Sequence, residues 1–287
     1  MFSIVITLII LILCAGNIIL FCYFKRKISS LSEETNEQKY AMAEANLKLL
    51  EQSEKLEEQK NAMADANLNL LEAKEIIEAE KARSEKLLLN ILPLKIANEL
   101  KEHGKTDPES YENVTVLFSD IVGFTEISGQ IEPHALIAEL NDIFTEFDRI
   151  IRKNSCERIK TIGDAYLCVC GIPESSEQHA FNILSSAVEM MNYINLRNKR
   201  TELQWPIRIG VHSGKVVAGV VGVEKYIYDV FGDTINTASR MESNSEPMKI
   251  NVSSTTYELV KDKFEFAERG EMHVKGKGSI KMYFLNY

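Results

Sequence analysis

The sequence predicts an α+β domain, a ferredoxin-like antiparallel sheet with flanking helices, that follows a long helical amino-terminal region. All six prolines lie at or after Pro93, and no glycine or proline lies between Asn17 and Leu92. Because both residue types interrupt helices, this stretch is typical of one long helix. After Pro93, strand-like and helix-like segments mix without a regular β-α-β alternation. That pattern favours an α+β domain on an antiparallel sheet.

Composition limits the possible functions. The 287 residues carry a net charge of −9, which argues against a nucleic-acid partner bound through a basic face. An apolar fraction of 45% with 26% charged residues excludes wholesale disorder. Cys156, Cys168 and Cys170 lack zinc-ligand spacing, and the total of five cysteines is odd. We therefore expect no disulfide framework, and a reducing compartment fits best.

Residues 2–24 form an uncharged apolar run that ends at Lys25-Arg26-Lys27. Its length is enough to cross a bilayer core of about 30 Å at 1.5 Å per residue. A cleaved signal peptide is the alternative, but it would place its basic residues before the apolar run. We expect residues 1–24 to be a single transmembrane helix in the plasma or inner membrane. The basic cluster then predicts that the rest of the chain is cytoplasmic.

Residues 25–87 predict a coiled coil that pairs two copies of the chain. The segment 37–47 recurs as 58–68, an offset of 21 residues or three heptads. One heptad row is almost wholly apolar and the companion row is small or polar: Ile28, Thr35, Met42, Leu49, Leu56, Met63, Leu70 and Ile77, against Leu31, Gln38, Ala45, Gln52, Gln59, Ala66 and Ala73. This pattern is typical of a coiled coil of modest stability. A single charged helix in solvent is the alternative.

The remaining elements belong to a domain at residues 111–287, which a linker element at 88–110 precedes. Alternating or continuous apolar runs predict strands, and apolar spacing of three and four predicts helices. The predicted strands are 114–118, 159–162, 166–170, 207–211 and 249–252, with a further pair at the carboxyl terminus. The predicted helices are 133–152, 181–195 and 234–242.

Two aspartates stand at points where strands end. Asp120 follows an apolar strand and precedes a glycine-containing turn, and Asp164 lies in the predicted hairpin turn at 163–164. Such a turn can bind phosphate through its N–H groups, and a carboxylate beside it can hold a hard cation. An aspartate that caps the next helix, or one that only forms a turn, is the alternative for each position.

Five segments, in order, resemble the class III nucleotidyl cyclases. They are 118–125 (FSDIVGFT), 159–166 (IKTIGDAY), 207–214 (IRIGVHSG), 228–240 (YDVFGDTINTASR) and 274–278 (VKGKG). The segment NILP at 90–93 is similar to the transducing element that precedes many catalytic domains of this family. The resemblance covers residues 88–287 and implies the cyclase catalytic-domain fold.

The resemblance also implies the metal and phosphate ligands. Asp120 and Asp164 match the family's metal-binding aspartates, and the Ile121 backbone matches a further ligand. Two Mg²⁺ or Mn²⁺ ions are expected in each active site. The turn that would hold the terminal phosphates matches Gly123, Phe124 and Thr125.

Further positions are implied to bind the rest of the nucleotide. Asn236 matches the residue that orients the ribose. Arg240 matches the one that stabilises charge on the α-phosphate. Arg208 and Lys275 match phosphate contacts, and Val230 lies beside the base-reading position.

The purine-reading positions are Lys160 and Asp229. Adenine presents an acceptor at N1 and a donor at its amino group, and a lysine with an aspartate complements both. Family guanylyl cyclases place Glu and usually Cys there. The resemblance therefore implies an adenylate cyclase that makes cyclic AMP from ATP. A guanylate cyclase is the alternative, because a sequence such as FGDT at 231–234 is typical of those enzymes.

In this family each active site spans two catalytic domains. One supplies the metal aspartates, and the other supplies the purine, ribose and α-phosphate contacts. Because this chain carries both sets, we expect a homodimer with two competent sites, held together by the coiled coil and the catalytic domains. A membrane-anchored scaffold without activity is the alternative from another functional class, and it predicts that metal or transition-state residues are lost.

Overall fold

The computed structural model describes residues 2–222, 225–274 and 278–287. The chain divides into two compact units, residues 1–83 and 84–287. A single helix, α1, runs from Phe2 to Leu89, and none of its residues is buried. The predicted long helix is thereby confirmed.

Pairing and membrane insertion of α1 both stay predictions. Its amino-terminal part is long and apolar enough to cross a membrane, a test of length and composition that a signal sequence also passes. Large apolar side chains remain exposed along α1, among them Leu49, Leu56 and Leu70 of the apolar heptad row.

The second unit contains six whole helices and eight strands among the residues described. The helices are α2 (Leu94–His103), α3 (Phe124–Ser128), α4 (Pro133–Lys153), α5 (His179–Asn198), α6 (Asp233–Ser243) and α7 (Ser254–Val260), together with the end of α1. The strands are β1 (Glu109–Ile121), β2 (Glu157–Ile162), β3 (Ala165–Cys170), β4 (Ile207–Val221), β5 (Ile227–Phe231), β6 (Ile250–Ser253), β7 (Phe266–Val274) and β8 (Gly278–Leu285).

The eight strands form one sheet in the order β2-β3-β1-β4-β6-β8-β7, and β5 pairs with the carboxy-terminal part of β4. The elements β1-α4-β2-β3-α5-β4 follow the ferredoxin-like β-α-β-β-α-β pattern. The prediction of a purely antiparallel sheet is wrong at one pair, because β4 and β6 are parallel. A parallel neighbour needs a crossover connection, and β5 with α6 provides it.

The sheet has an apolar core on each face. One core joins α4, α5 and α7 to the sheet, with Phe147, Tyr166 and Trp205 fully buried. The other contains Leu92 and Ile96 at the start of the domain, together with strand residues of β1, β4 and β5. The three cysteines of this unit are buried and free of disulfides. The end of β1 contributes Ile121 to the first core and Phe118 to the second, so both cores hold the strand that carries Asp120.

Candidate active site

The two acidic residues singled out in the sequence lie side by side. Asp120 is near the end of β1, and Asp164 lies in the turn between β2 and β3. Ser119 pairs with Tyr166 across β1 and β3, which brings this turn beside the end of β1. Burial, and then the Asp120 carboxylate, raise the pKa of Asp164, while backbone hydrogen bonds at Asp164 and Ile121 oppose the rise.

This carboxylate pair fits a divalent cation. Two neighbouring carboxylates repel one another when both are ionised, and a cation between them removes that repulsion. Ile121 follows Asp120 directly in the chain, and its backbone hydrogen-bonds to Asp164, which places that backbone beside the pair. Oxygen donors of this kind suit Mg²⁺ or Mn²⁺. Among the described residues, no group of three or more His, Cys, Asp or Glu side chains forms another metal site.

The predicted phosphate turn lies directly after β1. Gly123 has a φ of 74°, a left-handed conformation that glycine adopts without strain, and α3 begins at the next residue. Phe124 packs against the core, which fixes the turn, while Gly123 and Thr125 stay exposed. Backbone and hydroxyl groups of the turn therefore face solvent beside the carboxylate pair.

Arg208 joins this group from β4, where it pairs directly with Asp120 across the sheet. Its Nη2 donates to Asp120 Oδ2 at 2.9 Å, and its Nε donates to Glu242 Oε1 at 2.5 Å. Glu242 is buried on α6, and that burial raises its pKa, an effect that Arg208 opposes. Sequence reasoning missed Glu242, because nothing in the sequence separates it from an ordinary helix glutamate.

The predicted purine readers form an ion pair. Lys160 on β2 and Asp229 on β5 meet at 2.5 Å between Nζ and Oδ2. The Val230 N–H donates to Asp229 Oδ1 at 2.9 Å, and the Val230 side chain is buried in the core. Val230 can therefore contribute to a ligand site through its backbone alone.

Asp229 lies on an exposed and apolar strand face. Side chains alternate along β5: Tyr228 and Val230 are buried, while Ile227 and Phe231 on the face of Asp229 are about half exposed, at 56% and 47%. A carboxylate between two exposed apolar side chains is typical of a surface that another molecule covers.

Asn236 and Arg240 lie four residues apart on α6, so they share one face of that helix. Both are exposed, while the opposite face of α6, with Thr237, Ala238 and Met241, is buried. The predicted phosphate contact Lys275 lies outside the described residues. The structure therefore brings the predicted residues together as two groups, one around Asp120 and the other around Lys160 and Asp229, with α6 carrying Asn236 and Arg240.

Comparison with known proteins gives one consistent family. The model of the adenylate and guanylate cyclase catalytic domain matches residues 106–287. Guanylate cyclase soluble subunit beta-2 of Rattus norvegicus is 43% identical over 195 residues, 67% of this chain and 29% of that protein. Receptor-type guanylate cyclase gcy-13 of Caenorhabditis elegans and guanylyl cyclase C of Homo sapiens are each 42% identical over 67% of this chain. The chain spans less than a third of the length of these relatives.

Solved structures are similar over the same region. The catalytic core of a rhodopsin-guanylyl cyclase with converted specificity, in complex with ATPalphaS, has a TM-score of 0.61 and 41% identity, covering 63% of this chain and 98% of that one. The adenylyl cyclase CyaB from P. aeruginosa has a TM-score of 0.60 and 29% identity, covering 63% of this chain and 97% of that one.

Proposed function

This chain belongs to the adenylate and guanylate cyclase catalytic domain family, and we propose that it is an adenylate cyclase. The reaction converts ATP to 3′,5′-cyclic AMP and pyrophosphate. The ribose 3′-oxygen forms a bond to the α-phosphorus, the bond from that phosphorus to the β-phosphate oxygen breaks, and the hydroxyl proton leaves to solvent. The observation that carries the choice of ATP is the pair of Lys160 and Asp229.

The charges of this pair suit adenine. A lysine ammonium can only donate hydrogen bonds and an ionised aspartate can only accept them, so together they complement the N1 acceptor and the amino donor. Guanine reverses both groups, with an acceptor at O6 and a donor at N1. A site that leaves buried polar groups unpaired can disfavour the wrong ligand by about 10⁴–10⁵-fold. The similar structure bound to ATPalphaS supports an adenine nucleotide in this fold.

A guanylate cyclase is the second candidate, and identity of 42–43% to several guanylate cyclases favours it. Overall identity reports the whole domain, whereas base choice depends on the few side chains that touch the purine. A scaffold without activity is disfavoured, because Asp120, Asp164, Asn236 and Arg240 are all present.

The residues around the carboxylate pair divide the chemistry between them. Asp120, Asp164 and the Ile121 backbone would hold two Mg²⁺ or Mn²⁺ ions, which lower the pKa of the 3′-hydroxyl and neutralise triphosphate charge when bound. The turn at 123–125 and Arg208 bind the terminal phosphates. Asn236 orients the ribose, and the Arg240 guanidinium stabilises the charge that develops on the α-phosphate.

We propose that two copies of the chain share each site. The exposed face of β5 with Ile227 and Phe231, and the exposed Asn236 and Arg240, supply one half that a second copy would cover. The coiled coil at 25–87 holds the two copies together, and the helix at 1–24 anchors them to the plasma or inner membrane with the catalytic domains in the cytoplasm. Residues 88–110 link the coil to the catalytic domain at 111–287.

Product analysis tests the proposed reaction. The full chain, purified in detergent, is incubated with Mn²⁺ or Mg²⁺ and either ATP or GTP, and cyclic nucleotides are measured by mass spectrometry. We expect cyclic AMP, with kcat/KM for ATP well above that for GTP. Preferential formation of cyclic GMP would favour the second candidate, and no cyclic nucleotide from either substrate would favour the scaffold.

A further inference from the structure

A glycine in β4 lets the end of α6 lie directly against the sheet. A Cβ built on Gly210 would come within 1.8 Å of the Glu242 backbone nitrogen and 2.4 Å of its Cα. No other residue type fits there without moving the helix. Because Arg208 lies two positions before Gly210 on the same strand face, this close approach puts Glu242 beside the guanidinium.

Two different nitrogens of Arg208 contact two different carboxylates. The Nε edge donates to Glu242, whose second oxygen accepts from Ser243 Oγ at 3.2 Å. A second nitrogen, Nη2, donates to Asp120 Oδ2. The Glu242 side chain is 10% exposed and the Asp120 side chain is 24% exposed. The two partners therefore differ: Glu242 is buried and otherwise satisfied by Ser243, while Asp120 lies nearer to solvent.

The Asp120 contact is the one that a ligand would change. Asp120 and Asp164 are the pair that fits divalent cations, so a cation competes with Arg208 for Asp120. A polyphosphate held beside those cations offers Nη2 a new anionic partner. Guanidinium groups suit such an exchange, because their donors lie in a fixed fork with separate edges. Glu242 keeps its hydrogen bond from Arg208 Nε during this exchange.

We propose that Glu242 is a positioning residue that holds the Nε edge of Arg208, so that its Nη2 group can exchange Asp120 for the terminal phosphates of the nucleotide. This assignment rests on the proposed function and adds a residue to it. Glu242 acts through Arg208 and does not touch the substrate. Its position on α6 also links the carboxylate pair of a chain to the helix that carries Asn236 and Arg240 of the same chain.

The substitution Glu242→Gln tests this role on the full chain. Glutamine keeps the shape of the side chain and one acceptor oxygen. It removes the negative charge of Glu242, which competes with Asp120 for Arg208. Arg208 then pairs more tightly with Asp120, so both cation binding and phosphate binding weaken. We expect the dissociation constants of Mn²⁺ and of inorganic tripolyphosphate to rise about three- to tenfold in calorimetry, the scale of the difference between a charge-assisted and a neutral hydrogen bond.

The kinetic readout separates positioning from general damage. We expect KM for ATP to rise in parallel with the dissociation constant for tripolyphosphate. We expect kcat to change by less than about threefold, because the variant loses phosphate binding in the ground state. Glu242→Asp keeps the charge and restores most of the tripolyphosphate affinity. The matched control is Glu246→Gln, which removes an exposed glutamate that pairs with Arg269 at 3.6 Å, and it leaves all of these constants unchanged.

Glu242→Gln with wild-type Mn²⁺ and tripolyphosphate affinities would overturn the assignment, as would an equal change in Glu246→Gln. If Glu242→Gln unfolds, as circular dichroism would show, Arg208→Lys provides the second test. A lysine has one point of charge and cannot join both carboxylates, so it must weaken tripolyphosphate binding to a similar extent. Unchanged binding in Arg208→Lys would also overturn the assignment. Tripolyphosphate binding needs no turnover, so a chain that binds it but makes no cyclic nucleotide refutes only the proposed reaction.

Discussion

At the scale of single residues, the proposed choice of base rests on two side chains that are far apart in sequence. Lys160 is on β2 and Asp229 is on β5, and they meet as an ion pair that is partly withdrawn from solvent. In the absence of a purine, each satisfies the other. A matching base must replace that contact with two hydrogen bonds of the same polarity, which is why a mismatched base is costly.

The double substitution Lys160→Glu with Asp229→Cys should shift preference toward GTP. The glutamate accepts from N1–H of guanine, and the ammonium that would meet that donor is removed. We expect kcat/KM for ATP to fall by about a hundredfold or more and that for GTP to rise. Initial rates with both nucleotides measure the change. A wild-type chain that already prefers GTP would show that the base-reading argument is wrong.

The raised pKa of Asp164 predicts how cation binding depends on pH. Cations bind the ionised carboxylate, so protonation of Asp164 competes with binding. Because burial and Asp120 raise this pKa above its usual 3.8, Mn²⁺ affinity should begin to fall at a higher pH than for an ordinary aspartate. Manganese binding, followed by electron paramagnetic resonance as pH is lowered, measures this directly.

The variant Asp120→Asn provides the control for that pH dependence. It removes the neighbouring charge, so the pKa of Asp164 falls and the loss of the remaining Mn²⁺ binding moves to lower pH. An unchanged midpoint in Asp120→Asn would mean that Asp120 does not influence Asp164.

Residue identities in the site were predictable to different degrees. Strand ends and turn chemistry singled out Asp120 and Asp164, while their metal role, like the base-reading role of Lys160 and Asp229, is implied by the family resemblance. Glu242 was not predictable, because its role depends on Gly210 and Arg208, which reach it only through the packing of α6 on β4. Val230 was assigned to the site, but its side chain lies in the core, because alternate residues of β5 face opposite sides.

At the scale of elements, the position of α6 is set by its packing against β4. One face of the helix is buried and the other carries Asn236 and Arg240. Gly210 sets how closely the helix approaches the strand, because its missing side chain leaves room for the backbone at 241–242. A shift of α6 would move Asn236 and Arg240 together.

Gly210→Ala should therefore destabilise the domain. The added methyl group would overlap backbone that cannot move aside as a flexible side chain can. Overpacking of this kind costs about 1–3 kcal/mol, which corresponds to a loss of several degrees in Tm. Thermal denaturation followed by circular dichroism measures the loss.

Gly129→Ala is the matched control for that substitution. The Cβ at Gly129 would meet its nearest neighbour, the Thr125 carbonyl oxygen, at an ordinary 3.5 Å. We expect its Tm to stay close to the wild-type value. Equal stability of the two variants would contradict the claim that Gly210 is needed for the close packing of α6 on β4.

Strongly patterned elements were predictable, including the short strands β2, β3 and β6, and four other short elements were not. The helix predicted at 133–152 is α4 (Pro133–Lys153), and the strand predicted at 207–211 is only the start of β4 (Ile207–Val221). α2, α3, β5 and α7 were not predicted. Each has 5–10 residues, a length at which helix and strand patterns are often ambiguous. The parallel pairing of β6 depends on the path of α6 across the sheet, which local sequence does not encode.

At the scale of the whole molecule, the proposed reaction requires two copies of the chain. The carboxylate pair and the purine readers lie on one polypeptide, yet the proposed reaction joins the first set of one copy to the second set of the other. A tether can raise the effective concentration of the two domains to the millimolar range, as the heptad pattern at 25–87 would allow. The symmetry of such a pair gives two identical sites.

Complementation between two inactive variants tests this requirement most directly. Asp120→Ala and Arg240→Ala chains are each expected to be nearly inactive alone, because each lacks one half of both sites. In an equal mixture, half of the dimers are mixed and each has one intact site, so about a quarter of the wild-type rate of cyclic AMP formation should return. A mixture that stays as inactive as its components, or an Arg240→Ala chain that is fully active alone, would contradict the shared site.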